Sequence, residues 1–213
     1  MVFEDRKDAG LKLAQALEKY RDQDALVLAI PKGGVEVAYY VAKHLNADFG
    51  ILIARKLPYP DNPESGFGAV AEDGSLFIIE DAIGFLCEEE IEKIIQEQKE
   101  EIKRRIAILR NNEPLPEIKD RTVILIDDGI AMGSTMRAAI SLCKNKKAKK
   151  IIVAVPVTGK NVARSLQKVT DEVLVLEKPL FFQAVAQVYR NWYDVSDREV
   201  LEFLKKRKED QSA

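Results

Sequence analysis

The stretch VILIDDGIAMGST (residues 123–135) sets two adjacent carboxylates, Asp127 and Asp128, directly after four apolar residues and follows them with small and hydroxyl-bearing ones. Val123 to Ile126 is short and lacks polar alternation, as in a strand buried on both faces. The carboxyl end of such a strand is where open α/β sheets bind ligands. Neighbouring strand residues point to opposite sides, so the two acids can reach different groups of one ligand.

Four further apolar runs share this character: ALVLAI (25–30), ILIA (51–54), IIVAVPV (151–157) and VLVL (173–176). Helical periodicity over 35–45, 135–143 and 161–168 separates most of them, which predicts right-handed crossovers and an open, mainly parallel, twisted α/β sheet flanked by helices. Residues 88–110 form the longest helical pattern, with Ile91, Ile94, Ile95, Ile102, Ile106 and Leu109 as one stripe. Pairs Glu100–Arg104 and Glu101–Arg105 decorate its solvated face, and Asn111 to Pro116 ends it. Ser196-x-x-Glu199 is a capping box opening a helix through Leu204, with a polar tail after Lys205 expected to fray. Residues 55–81, holding three prolines and three glycines, are expected to be a long, flexible loop carrying a small hairpin with its turn at Asp73-Gly74. One domain, 1–213, is expected, with a core at 20–176, a mobile loop at 55–81 and a small C-terminal hood at 177–207.

Composition narrows the function classes. The 213 residues are 46% hydrophobic and 32% charged, with net charge -2, an ordinary globular balance without the basic field that draws nucleic acid. No apolar run approaches the ~18 residues of a membrane span, and MVFEDRKDAG carries charges where a signal peptide needs an apolar stretch, so a cytoplasmic location is expected. Cys87 and Cys143 lack C-x-x-C spacing, and the single histidine, His44, lies on an apolar helix, so buried thiols are expected, not a metal site or disulfide.

Adjacent carboxylates repel and raise one another's pKa unless a cation or hydroxyl donors compensate. A vicinal diol with Mg²⁺ nearby supplies both. Gly129-Ile130-Ala131-Met132-Gly133-Ser134-Thr135 then leads into a helix whose first amides are unpaired, and these amides with the Ser134 and Thr135 hydroxyls form a nest sized for a phosphate monoester. Gly133 precedes Ser134 directly, without the lysine of a P-loop. A diol site beside a phosphate site describes ribose 5-phosphate. Each residue alone has a plainer reading, since Asp and Ser commonly start turns and cap helices.

Val123 to Thr135 resembles the signature of the type I phosphoribosyltransferases, four apolar residues, two acids and a loop similar to A-T-G-G-T. The resemblance implies that Asp127 and Asp128 hold the ribose hydroxyls of phosphoribosyl pyrophosphate (PRPP) and that the loop through Thr135 holds the 5′-phosphate. Met132 departs from the pattern, because it has no hydroxyl to donate. Pro31-Lys32-Gly33-Gly34 resembles the family's pyrophosphate loop, often marked by a cis peptide, here expected at Lys32-Gly33; a Lys-Gly-Gly turn is equally an ordinary βα connection. Arg55-Lys56 resembles the basic residues that open a loop closing over the ligand, with Glu64, Ser65, Gly66, Phe67 and Gly68 as candidate lining.

The resemblance implies a transferase moving the phosphoribosyl group from PRPP to a nitrogen acceptor such as a nucleobase. Lys32, Arg55, Lys56, Asp127 and Asp128 then form the catalytic set, Mg²⁺ arrives mainly on PRPP with contact through water to the two acids, and a homodimer is expected. Ala131 replaces the acid that serves N7 in hypoxanthine-guanine enzymes, which disfavours those bases. Phe181, Phe182 and Trp192, with Tyr189 and Tyr193, are the candidates for stacking on a base, or else a satellite core under the C-terminal helix. Two other classes fit the same residues: a PRPP-sensing binding protein without catalysis, and a Mg²⁺-dependent receiver-like domain, in which the nest has no role.

Overall fold

The structure, a computed structural model, describes residues 2–84 and 86–212. In chain order its first elements are α1 (Arg6–Ala16), β1 (Leu26–Ala29), α2 (Gly34–Leu45), β2 (Asp48–Ile51), β3 (Ala54–Tyr59), β4 (Asn62–Ala71) and β5 (Leu76–Ile78). Then follow α3 (Glu88–Arg110), β6 (Thr122–Ile126), α4 (Ser134–Asn145), β7 (Lys150–Val157), α5 (Lys160–Gln167), β8 (Glu172–Glu177) and α6 (Asp197–Ser212).

Five strands pair in the order β2-β1-β6-β7-β8, all parallel. Their side chains alternate between two cores. Val27, Ala29, Ile124, Ile126 and Ile152 pack with α1, α2 and α6, whereas Leu26, Leu28, Val123, Leu125 and Val153 pack with α4. Apolar residues on both faces explain the uninterrupted runs in sequence. From β1 the chain steps to one edge through β2, and from β6 to the other through β7 and β8. The order therefore reverses between β1 and β6, the place in open α/β sheets where ligands bind.

The ILIA run is divided between two sheets. Ile51 closes β2, Ala54 opens β3, and the buried Leu52 and Ile53 carry the chain across. Residues 55–81 are not one loop, because β3, β4 and β5 form a three-stranded antiparallel sheet. The Asp73-Gly74 turn stands where it was expected, with Gly74 at φ +88°. Leu57, Phe67 and Val70 of this sheet pack on Ile94 and Ile102 of α3, giving a third core.

On the outer face of α3, Glu101 takes both Arg104 at 2.7 Å and Arg105 at 2.9 Å, while Glu100 pairs with Lys103 at 2.9 Å instead of Arg104. Two further differences matter for the site. The N-terminal segment is a helix, α1, begun by Asp5, whose side chain accepts from the Asp8 amide. The C-terminal tail also stays helical through Ser212 instead of fraying. Among the described residues no helix is long and apolar enough to cross a membrane.

Candidate functional site

At the end of β6 the chain turns under its own acids, where Asp127 Oδ1 accepts the Asp128 amide at 2.8 Å. Ile130 then bonds the neighbouring β7 end, its amide to the Val157 carbonyl at 2.9 Å and its carbonyl accepting from Thr158 Oγ1 at 2.7 Å. Gly133, at φ +86° and ψ 8°, adopts the left-handed conformation that turns the chain into α4, and no side chain caps that helix. Its first-turn amides are thus left for a ligand or solvent.

The Pro31–Gly34 turn after β1 lies directly against these acids. A Cβ added at Gly33 would stand 1.8 Å from Asp128 Oδ2, and one at Gly34 would stand 2.8 Å from Asp127 Cα. Two motifs almost a hundred residues apart in sequence are therefore in contact, and only glycine permits it. The cis peptide of this turn is Pro31–Lys32, one bond earlier than expected.

A cleft of about 240 Å³ opens over the end of β6, lined by Lys56, Glu64, Gly66, Asp127 and residues 129–135. Lys56 reaches it from β3 while donating to the Glu64 carbonyl at 2.5 Å. Of the residues expected as lining from 64–68, Glu64 and Gly66 face the cleft. Phe67 does not, being fully buried in the third core, and Gly68 packs against β5, where an added Cβ would lie 2.2 Å from the Phe77 carbonyl. A larger hollow of about 380 Å³ lies elsewhere, between β2, the end of α3 and α6, away from all these motifs.

The expected cations are dispersed. Lys32 pairs with Asp197 at the start of α6, 3.2 Å away. Arg55 turns from the cleft toward α3, donating to Gln98 Oε1 at 3.1 Å, and burial lowers its pKa. Lys56 alone of the three lines the cleft.

The two acids also differ. Asp127 lines the cleft, and burial together with the Asp128 charge holds its carboxyl well above the ordinary range. Asp128 faces Arg6 of α1, whose Nε donates to Oδ2 at 2.8 Å. Burial raises Asp128 as well, and the Arg6 charge opposes that rise. The Asp128 carbonyl accepts from Tyr189 Oη at 2.6 Å. Both carboxylates facing one ligand was the expectation; here Arg6 occupies the second. The charged N-terminal segment concealed Arg6, although Asp5 as a cap followed by Ala9, Leu13 and Ala14 at helical spacing was the available signal.

The aromatic candidates divide too. Phe181 is 86% exposed and makes no core contact, whereas Tyr189 is buried and Phe182 packs beside it with Phe3, Val157 and Val188. The Trp192 ring carries the Arg6 guanidinium 4.1 Å from its centroid, so that one face is covered. Among the described residues no group of three or more His, Cys, Asp or Glu is arranged to hold a metal, and Cys87 and Cys143 are free thiols, Cys87 exposed and only Cys143 buried.

Comparison with known proteins accords with this geometry. Residues 6–190 match the family described as phosphoribosyl transferase domain. A Mycobacterium tuberculosis protein, named provisionally as a phosphoribosyl transferase, is 37% identical over 205 residues, covering 95% of this chain and 46% of the relative. The chain thus spans about half the length of the curated relatives it matches. An amidophosphoribosyltransferase of Lachancea kluyveri is 26% identical over 156 residues, 72% of this chain and 24% of its own length. The crystal structure of a Thermus thermophilus protein aligns with a TM-score of 0.82 at 34% identity, covering 97% of this chain and 99% of that one. By sequence and by the parallel sheet flanked by helices, this chain belongs to the phosphoribosyl transferase domain family, with the type I fold.

Proposed function

We propose that the cleft binds PRPP and that the protein transfers its phosphoribosyl group to a nitrogen acceptor, a nucleobase in the first instance, with release of pyrophosphate. The observation that carries this reading is the convergence of three sequence-distant motifs: Asp127 with residues 129–135 and Lys56 line one cleft, and the Gly33-Gly34 turn packs against the acids beside it. In this reading the uncapped amides of α4, with Ser134 and Thr135, hold the 5′-phosphate. Asp127 accepts from a ribose hydroxyl. The turn after β1 and Lys56 receive the pyrophosphate, whose bond to C1′ breaks with its electron pair leaving on oxygen as the acceptor nitrogen bonds C1′ and releases its proton to solvent. Positioning and charge complementarity supply the rate, and no covalent nucleophile is required.

The donor set suits Mg²⁺ that rides on substrate, since Mg²⁺ usually keeps several waters and binds through one or two carboxylates plus phosphates. Asp127 would hold it through water, the ion's charge offsetting the burial that favours the protonated carboxyl, and the bound ion would offset charge on the departing pyrophosphate.

The test is incubation with PRPP, Mg²⁺ and a panel of nucleobases while pyrophosphate release is followed. Release with at least one base, lost at least tenfold in Asp127→Asn, is the expected result. Binding of PRPP by calorimetry without release for any acceptor would replace the transferase with a PRPP-sensing protein. No binding at all would reject both.

A further inference from the structure

The Arg6 side chain is fixed from four directions. It is 3% exposed and donates to Asp128 Oδ2 at 2.8 Å, while Nη1 donates to the Tyr193 carbonyl at 2.9 Å. The Trp192 and Tyr193 rings lie 4.1 and 5.0 Å from its guanidinium carbon. Tyr193 is itself tied to α2, its hydroxyl donating to Glu36 at 2.6 Å. Gly33 packs beside the same contact, since an added Cβ there would stand 1.8 Å from Asp128 Oδ2 and 3.0 Å from Arg6 Nε. A desolvated guanidinium between aromatic faces is held firmly, and a buried charge pair is costly to separate.

We propose that Arg6 is a positioning residue that divides the work of the two acids. It holds the Asp128 carboxyl against its own guanidinium, beside the Gly33 turn, and so leaves Asp127 alone to take sugar hydroxyls. The pair of acids is then one ligand and one anchor. The N-terminal helix and the hood aromatics act on the sugar site through that anchor, and Trp192 serves as Arg6's shelf instead of as a surface for the acceptor base.

This inference rests on PRPP binding, and Trp192, the single tryptophan, provides a reporter that separates the two. In the wild-type protein, saturating PRPP and Mg²⁺ should leave the Trp192 emission maximum in place, because Arg6 stays on Asp128. Arg6→Gln should shift that maximum without ligand and weaken PRPP by about tenfold, the scale of one lost charge-assisted hydrogen bond, and Arg6→Lys should recover most of the affinity. Arg6→Gln/Asp128→Asn should bind no more weakly than Arg6→Gln alone, because the two residues act as one unit. That double variant also relieves the unpaired charge, which keeps the affinity measurement open if Arg6→Gln does not fold. A wild-type emission that moves on PRPP binding to the Arg6→Gln value would overturn the inference, since Arg6 would then have released Asp128 to the ligand. Equal PRPP affinity in wild type and Arg6→Gln would likewise overturn it while leaving the functional reading intact. Failure of the wild-type protein to bind PRPP would remove that reading and this inference together.

Discussion

At Gly33 the requirement for glycine comes from a contact and not from a turn angle. Its φ is -59°, open to any residue, yet an added Cβ would meet the Asp128 carboxylate at 1.8 Å. Gly33→Ala must therefore push Asp128 off Arg6 or displace the turn. Overpacking of this kind costs about 1–3 kcal/mol, and each kcal/mol lowers the melting midpoint of a chain this size by roughly 2–4 °C. We expect that drop in a thermal melt, accompanied by weaker PRPP binding. Gly74→Ala is the control for crowding, since nothing lies within 4 Å of its would-be Cβ although its positive φ makes alanine strained there. The place of Asp127 and Asp128 at a strand end and the uncapped helix start after them were legible residue by residue, because both depend on a few consecutive residues. Lys32 and Arg55 were not, because a long basic side chain reaches many partners, and here Asp197 and Gln98 claim them.

Among elements, the buried strands and amphipathic helices followed their periodicities to within a residue or two at most ends. The failures came where one pattern serves two structures. ILIA is continuously apolar because both sheets bury it, and burial does not say which sheet: Leu52 donates to Ala29 of the large sheet, while Ile53 donates to Glu72 beside the small one. Between residues 55 and 81 the glycines suggested a loop, yet Gly66 and Gly68 mark close approach within strands, where an added Cβ would lie 2.5 Å from the Leu57 carbonyl and 2.2 Å from that of Phe77. The inner face of α4 offers a chemical check. Cys143 is buried there, its thiol pushed up to about 12 by burial, while Cys87 is exposed. As the thiolate is the reactive form, a thiol reagent should modify Cys87 alone in native protein and both cysteines after denaturation. Rapid modification of both in native protein would show that α4 is not packed as described.

Across the whole molecule, α6 closes the structure over the end of α2. Arg207 is 5% exposed and donates to the Ala47 carbonyl at 2.7 Å and the Ala42 carbonyl at 3.4 Å, where a cation also complements the helix C-terminus. Asp210 joins Tyr39 at 2.9 Å and Lys43 at 2.8 Å. Arg207→Ala should therefore destabilise the fold by about 1–3 kcal/mol in denaturant melts, whereas Lys206→Ala, at an exposed position of the same helix, should change it little. Equal stability of the two variants would mean that the tail does not dock. Because α6 also supplies Asp197 to Lys32, the last helix is connected to the turn beside the acids.

The sheet class, most helices, the strand bearing Asp127 and Asp128, and the uncapped entry into α4 after them were all determined by the amino-acid sequence, because each depends on the burial period or backbone chemistry of a few consecutive residues. Which charges meet was decided by tertiary structure alone. Arg6 and Asp128 are 122 positions apart, and Arg6 and Tyr193 are 187 apart; no local pattern encodes such distances. They follow from how α1, residues 189–193 and the two central loops pack on one sheet, and that packing makes one acid face the cleft and the other face an arginine.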